Sequence, residues 1–201
     1  MNALEITRMQ RRIVDSYAPE DRDGSDDGFW GPISQKACRR HLRALMPKVS
    51  PWPKSDQQSL RNFYGEPGNE SQLTMIDFPY PMLFDGKKVR RTRVHHKVAC
   101  SLLKILEAIE KLHGTDRDIM EEAEDYGGVF NFRNKRGGRS YSVHAYGAAI
   151  DLDADDNSFR NSWPMQADMP LEIMEEFAKE GWISAGAFWG YDAMHFEATR
   201  H

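Results

Sequence analysis

Two short stretches of the chain concentrate side chains that can hold a metal ion. The first reads Ser142-Val-His144-Ala-Tyr-Gly147-Ala-Ala149-Ile-Asp151, and the second reads Asp192-Ala-Met-His195-Phe-Glu197. Together they offer two imidazoles and a carboxylate, donor types that suit one catalytic zinc ion with a coordination position left open. In an extended chain Ala149, Asp151 and Asp153 share one face, and Ile150 and Leu152 share the other. His144 lies seven residues before Asp151, an odd offset that puts the two on opposite faces of a straight strand. They can meet at one ion only if the chain bends between them, and Gly147 gives the backbone that freedom. In the second stretch Met194 and Phe196 alternate with His195 and Glu197, as in a strand with an apolar face in a core and a polar face in a cleft. Asp192 is out of phase with His195. It is expected in the loop entering that strand, within reach of the open metal position.

The chemistry such a set supports is hydrolysis. Zinc lowers the pKa of a water from ~16 to about 7. A carboxylate within hydrogen-bond reach accepts the proton and delivers it to the leaving amine, and Asp192 is the candidate base. A tetrahedral oxyanion, or a substrate carboxylate, calls for a cation as well. Arg133, in Phe130-Asn-Phe-Arg133-Asn-Lys-Arg136-Gly-Gly138, lies eleven residues before His144 and is the candidate. Ser142 either orients a ligand from behind or satisfies the backbone of a turn. Glu197 is an alternative base or a fourth ligand, and Trp189, close in sequence to Asp192 and His195, is the tryptophan best placed to act as a substrate platform rather than as core or cleft wall. Trp163 and Trp182 fit a core. His95 and His96 read as ordinary residues at a helix start, and His201 as a loose terminal residue. The acidic run Asp153, Asp155, Asp156 lacks the spacing and glycine of a calcium-binding helix–loop–helix, so it reads as a solvated turn.

The elements that must position these residues are partly legible. Ile6, Met9, Ile13 and Tyr17 recur at helical spacing, and the turn-rich Asp23-Gly24-Ser25-Asp26-Asp27-Gly28 follows. Ser34 to Met46 predicts a second helix with Ser34 as its cap, ended by Pro47, Pro51 and Pro53. Residues Ser55 to Gly86 show little periodicity and read as loop. Val94 to Leu112 predicts a long helix with Val98, Leu102, Ile105, Ile109 and Leu112 on one stripe and Gly114 as its stop. Pro170 to Lys179 predicts another, capped at Asp168 or Met169 and ended by Gly181. Short strands are expected at Ala148 to Leu152 and Met194 to Glu197.

The bulk properties narrow the field. The 201 residues carry 31 acidic and 27 basic side chains, a net charge of −4, which gives no electrostatic case for a nucleic-acid partner. Apolar runs are too short to cross a membrane. Met1 to Ile13 is charged throughout and lacks the apolar run of a secretory leader. Cys38 and Cys100 lie far apart and read as buried free thiols. Nothing in the sequence demands an oligomer, so a monomer is expected.

The patterns SxHxxGxAxD and DxMHFE resemble those of metallopeptidases that include D-alanyl-D-alanine carboxypeptidases and phage endolysins of the L-alanyl-D-glutamate endopeptidase type. The resemblance covers roughly Phe63 to Glu197. It implies zinc held by His144, Asp151 and His195, Asp192 as catalytic base, and Arg133 as a substrate contact. It also implies an α+β fold with a small antiparallel sheet flanked by helices. An Asp at position 192 matches the endolysin branch, where the carboxypeptidases have Glu. Residues 1–53 resemble a three-helix peptidoglycan-binding module and linker, through Met9-Gln10-Arg11-Arg12-Ile13, the turn Asp27-Gly28-Phe29-Trp30-Gly31-Pro32-Ile33-Ser34, and Ala37. Residues 54–201 would then be the catalytic domain. The resemblance implies a peptidoglycan endopeptidase made in the cytoplasm and acting on the cell wall after release. The alternatives are a D,D-carboxypeptidase and a non-catalytic wall-binding zinc protein.

Overall fold

The computed structural model describes residues 1–15 and 26–201. Tyr17 and the first part of the loop expected at Asp23 to Gly28 lie outside the described residues. Helix α1 spans Ala3–Asp15 and α2 spans Pro32–Leu45. Ile6, Met9 and Ile13 form the buried face of α1, as the 3.6-residue period requires. The cap of α2 is Gly31 rather than Ser34, because Pro32, with its fixed φ, takes the first helical position. Ser34 is buried one turn in and accepts a hydrogen bond from the Gln10 amide at 2.9 Å. The same Gln10 donates to the Phe29 carbonyl and accepts from the Gly28 N–H, each at 3.0 Å, and so ties the turn before α2 to α1.

The stretch Ser55 to Gly86 is not the loop expected from sequence. It contains α3 (Gln57–Tyr64) and the strand β1 (Leu73–Phe84). β1 pairs antiparallel with β2 (Lys87–His95) across a turn at Asp85-Gly86, whose φ values of 51° and 69° are both left-handed. Pro79 and Pro81 hid the strand. The register slips between Asp77 and Met82, so the residues that cannot donate fall in an irregularity of a two-stranded ribbon.

Helix α4 (His96–His113) buries Val98, Leu102, Ile105 and Ile109. The long helix therefore starts later than expected, since Val94 and His95 end β2. Leu112, expected on the stripe, is 57% exposed on the last turn. His95 is a buried cap: its Nδ1 accepts from the Lys97 N–H and its Nε2 donates to the Tyr64 carbonyl. Burial pushes its pKa down to about 4, which keeps it neutral. Cys38 is buried as expected, but Cys100 is exposed.

Helix α5 (Arg117–Glu124) leads into β3 (Tyr126–Gly128), followed by β4 (Ala149–Leu152), α6 (Leu171–Lys179), β5 (Ile183–Ser184), α7 (Ala185–Trp189) and β6 (His195–Glu197). The cap of α6 is Pro170, without a side-chain hydrogen bond, because Asn157 Oδ1 accepts from the N–H groups of both Asp168 and Met169. The strands form one antiparallel sheet in the order β3-β4-β6-β5. The fold is α+β, with helices flanking small antiparallel sheets. No helix among the described residues is long and apolar enough to cross a membrane.

Helix α1 packs on α2, and α2 packs on α6 and α7, within one apolar cluster that runs from Ile6 to Ala198. Trp30 meets Trp163 edge-on at 5.1 Å. Glu175 on α6 accepts from Arg12 at 2.7 Å and contacts His41 Nε2 at 2.8 Å. Burial alone would raise the Glu175 pKa, but these two partners outweigh it and hold the carboxyl down to about 2.

Candidate active site

The bend expected between His144 and Asp151 is a single turn of 3-10 helix, Val143–Tyr146, closed by Gly147 at φ 67°. The left-handed φ favours glycine there, and a Cβ would also crowd the His95 backbone N at 3.1 Å. The Ser142 hydroxyl caps this turn by accepting the His144 N–H at 3.4 Å, so it serves the backbone of the ligand-bearing turn. Beyond Gly147 the chain enters β4, where Asp151 sits directly opposite His195 of β6. β3 approaches so closely that a Cβ on Gly127 would lie 2.9 Å from the Cβ of Asp151. Sheet register thus brings two of the expected donors together, and the glycine bend delivers the third.

The three donor atoms form a near-equilateral triangle. His144 Nε2 lies 3.1 Å from Asp151 Oδ1 and 3.0 Å from His195 Nδ1, and His195 Nδ1 lies 2.9 Å from the same Oδ1. The outer nitrogens are both committed. His144 Nδ1 donates to the Val129 carbonyl at 2.7 Å, and His195 Nε2 donates to Glu197 Oε2 at 3.2 Å. With neutral rings, three lone pairs therefore converge on one point, and only a cation resolves that repulsion. In the metal-free protein a proton can fill this role. Burial would lower the His195 pKa, but its hydrogen bonds to Asp151 and Glu197 raise it to about 10. The Asp151 pKa moves the other way and is held low: burial opposes ionisation, and the imidazoles of His144 and His195 overcome it. Ligands of a tetrahedral zinc stand about 3.3 Å apart, so the residues present fit that ion.

Asp192 lies in the loop before β6, as its phase predicts, with a left-handed φ of 60°. It is 8% exposed, and its Oδ1 has no hydrogen-bond partner. Burial chiefly raises its pKa; Asp151 adds to the rise, while His195 and Arg136 oppose it. Asp192 opens on a cleft of about 340 Å³ that is also lined by Asp151, His195, Arg133, Trp189 and Tyr191. The Trp189 ring stacks on His195 at 5.8 Å. An unpaired buried carboxylate beside three converging donors, in a cleft of this size, is an arrangement for activating water.

Residues 135–198 match the model of the D-alanyl-D-alanine carboxypeptidase family. The match supports a peptidase of that family. It takes in His144, Asp151, Asp192 and His195 and leaves Arg133 outside. No curated protein and no solved structure matches the chain.

Around these carboxypeptidase-like residues the structure adds partners that the sequence did not single out. Glu197 Oε1 accepts from the Thr199 hydroxyl at 2.6 Å and lies 3.3 Å from His201 Nε2, so the terminal histidine is engaged rather than loose. Lys135, Arg136 and Phe159 line the cleft beside Arg133. Their only signal in the sequence is the density of basic residues around Arg136. Away from the cleft, the acidic run is not a plain solvated turn. Asp153 is buried and gathers with Glu122 and Asp168 around the Asn157 amide. Burial, and then Asp153, push the Glu122 pKa up to about 9, which keeps it protonated at neutral pH.

Proposed function

We propose that the chain is a zinc-dependent peptidoglycan endopeptidase that hydrolyses the bond between L-alanine and D-glutamate in the stem peptide. The observation that carries this reading is the convergence of His144 Nε2, His195 Nδ1 and Asp151 Oδ1 beside the unpartnered, buried Asp192. His144, Asp151 and His195 would hold zinc, which when bound supplies an acidified water and a Lewis acid. Asp192 takes the proton of the attacking water and returns it to the leaving amine. Its burial makes it a stronger base than a solvated carboxylate. Arg133, on the cleft wall, supplies positive charge to the oxyanion or to a substrate carboxylate. Trp189 covers His195 and keeps bulk water from that ring.

Aspartate at position 192, where the resemblance puts glutamate in carboxypeptidases, supports cleavage within the stem. Peptidoglycan is the proposed partner, and the protein acts on it as a monomer after release from the cytoplasm. Residues 1–53 are proposed to derive from a wall-binding module, and residues 54–201 to carry the catalysis. A second reading, a D,D-carboxypeptidase, is favoured by the description of the matched family. Digestion of a defined peptidoglycan by the zinc-loaded protein separates the two. The first reading predicts new D-glutamyl amino termini and no free D-alanine. Free D-alanine alone would establish the second, and the absence of both products would remove the peptidase reading.

A further inference from the structure

The basic residues of this chain are unevenly spread. Acidic side chains outnumber basic ones by 31 to 27, yet Arg133-Asn-Lys135-Arg136-Gly-Gly-Arg139 holds four basic residues and no acidic one. This segment is a built hairpin. Asn134 bridges Tyr141, the Lys135 N–H donates to the Ser140 carbonyl at 2.8 Å, and the Ser142 N–H donates to the Arg133 carbonyl at 3.0 Å. Its base is pinned by Gln57 of α3, whose amide donates to the Tyr141 carbonyl and accepts the Tyr141 N–H, each at 3.0 Å. Phe132 stacks on Tyr141 with ring centroids 5.3 Å apart.

Arg133, Lys135 and Arg136 all line the cleft that holds Asp192 and Asp151. Among the described residues none of the three has an ion-pair partner. Arg136 lies over the Phe159 ring, 5.1 Å from its centroid. Stacking occupies the face of the guanidinium and leaves its N–H edge for a ligand. A second cleft, of about 350 Å³, shares Arg133 and Asp151 with the first and is otherwise lined by Phe84, Tyr126, Phe130 and uncharged neighbours, with His144. The first space gathers three cationic side chains, Arg133, Lys135 and Arg136, with the carboxylates Asp151, Asp192 and Glu197 on its lining, whereas Arg133 is the one Lys or Arg lining the second. Unpaired cations facing one space repel each other, and an anion placed between them is favoured by all of them.

We infer that Lys135 and Arg136 form a carboxylate-binding subsite, which makes the site select peptides with free carboxylates over their carboxamides in the part of the substrate lying in this cleft. The placement beside a scissile bond rests on the peptidase reading; the binding preference does not. A guanidinium edge pairs with a carboxylate through two parallel N–H donors, whereas a carboxamide brings no charge to the field.

The test uses synthetic L-alanyl-γ-D-glutamyl-L-lysine and the same peptide with its α-carboxylates converted to carboxamides. Binding is measured by calorimetry on full-length, zinc-loaded Asp192→Asn protein, and cleavage on the wild type. The free-carboxylate peptide is expected to bind about tenfold more tightly, a gap that narrows in about 0.5 M salt. Adding Lys135→Gln and Arg136→Gln together should bring the ratio close to one, with zinc content and melting temperature retained. Arg139→Gln, on the same hairpin but outside the cleft lining, should leave the ratio in place. Equal binding of the two peptides, or a ratio untouched by the double substitution, overturns the inference, as does an equal drop in Arg139→Gln. Because binding is read on a non-cleaving variant, failure of the wild type to cut either peptide counts against the peptidase reading alone.

Discussion

Glu197 meets Nε2 of His195 at 3.2 Å, and that contact decides which ring nitrogen faces Asp151. Burial pushes the Glu197 pKa up, but its hydrogen bonds to His195, His201 and Thr199 outweigh this and keep it ionised. Replacing it with alanine frees the ring to adopt the other tautomer. Zinc affinity of Glu197→Ala should fall about 10–100-fold, measured by competition with a chelator, while Glu197→Gln, which keeps an acceptor, should lose less. An unchanged affinity in Glu197→Ala would remove this contact from the account. Asp192 has a different part. Asp192→Asn should retain zinc while kcat falls about 10²–10⁴-fold, and a variant that instead loses zinc would place Asp192 among the ligands. At this scale the sequence was informative about donor types, their order and the need for a bend at Gly147. It was silent on the Val129 carbonyl that orients His144, because a backbone atom has no signature in residue type. It was equally silent on Lys135 and Arg136 facing the cleft, because spacing does not say which loop returns to a site.

The elements show where periodicity succeeds and where it fails. Helix α4 was legible because Val98, Leu102, Ile105 and Ile109 all face the core. The β1–β2 hairpin is obscured in the sequence because Pro79 and Pro81 argue against a strand, although Asp85-Gly86 is the turn that joins its two strands. Helix α5 was also missed, since its eight residues give two turns and too few repeats to read. Between elements, the contact of Glu175 on α6 with Arg12 and His41 makes a pH prediction. The folded carboxyl titrates near 2 and the free one near 4.5, so the contact stabilises fully above about pH 4.5 and is lost as pH falls toward 2. Its contribution is on the order of 1–2 kcal/mol, since Arg12 is half exposed and solvent screens its share. Glu175→Gln should melt at a lower temperature at pH 7 and show a flatter dependence between pH 4.5 and 2. Parallel melting curves for the two proteins across that range would contradict this assignment.

Across the whole molecule, one apolar cluster joins the N-terminal helices to the sheet that carries Asp151 and His195. The charges are arranged on that frame in separate places. Acidic side chains gather at Glu122, Asp153 and Asp168, and basic ones line the cleft at Arg133, Lys135 and Arg136. Both acidic groups, the triad around Asn157 and the triangle with two histidines, present oxygens that could attract a divalent ion. Only the triangle pairs them with imidazole nitrogens, the donors zinc prefers over calcium or magnesium. The most direct measurement is therefore anomalous diffraction at the zinc edge from crystals of the zinc-loaded protein. One strong peak is expected about 2.0–2.2 Å from His144 Nε2, His195 Nδ1 and Asp151 Oδ1. A peak at Glu122, Asp153 and Asp168 with none between the two histidines would contradict it.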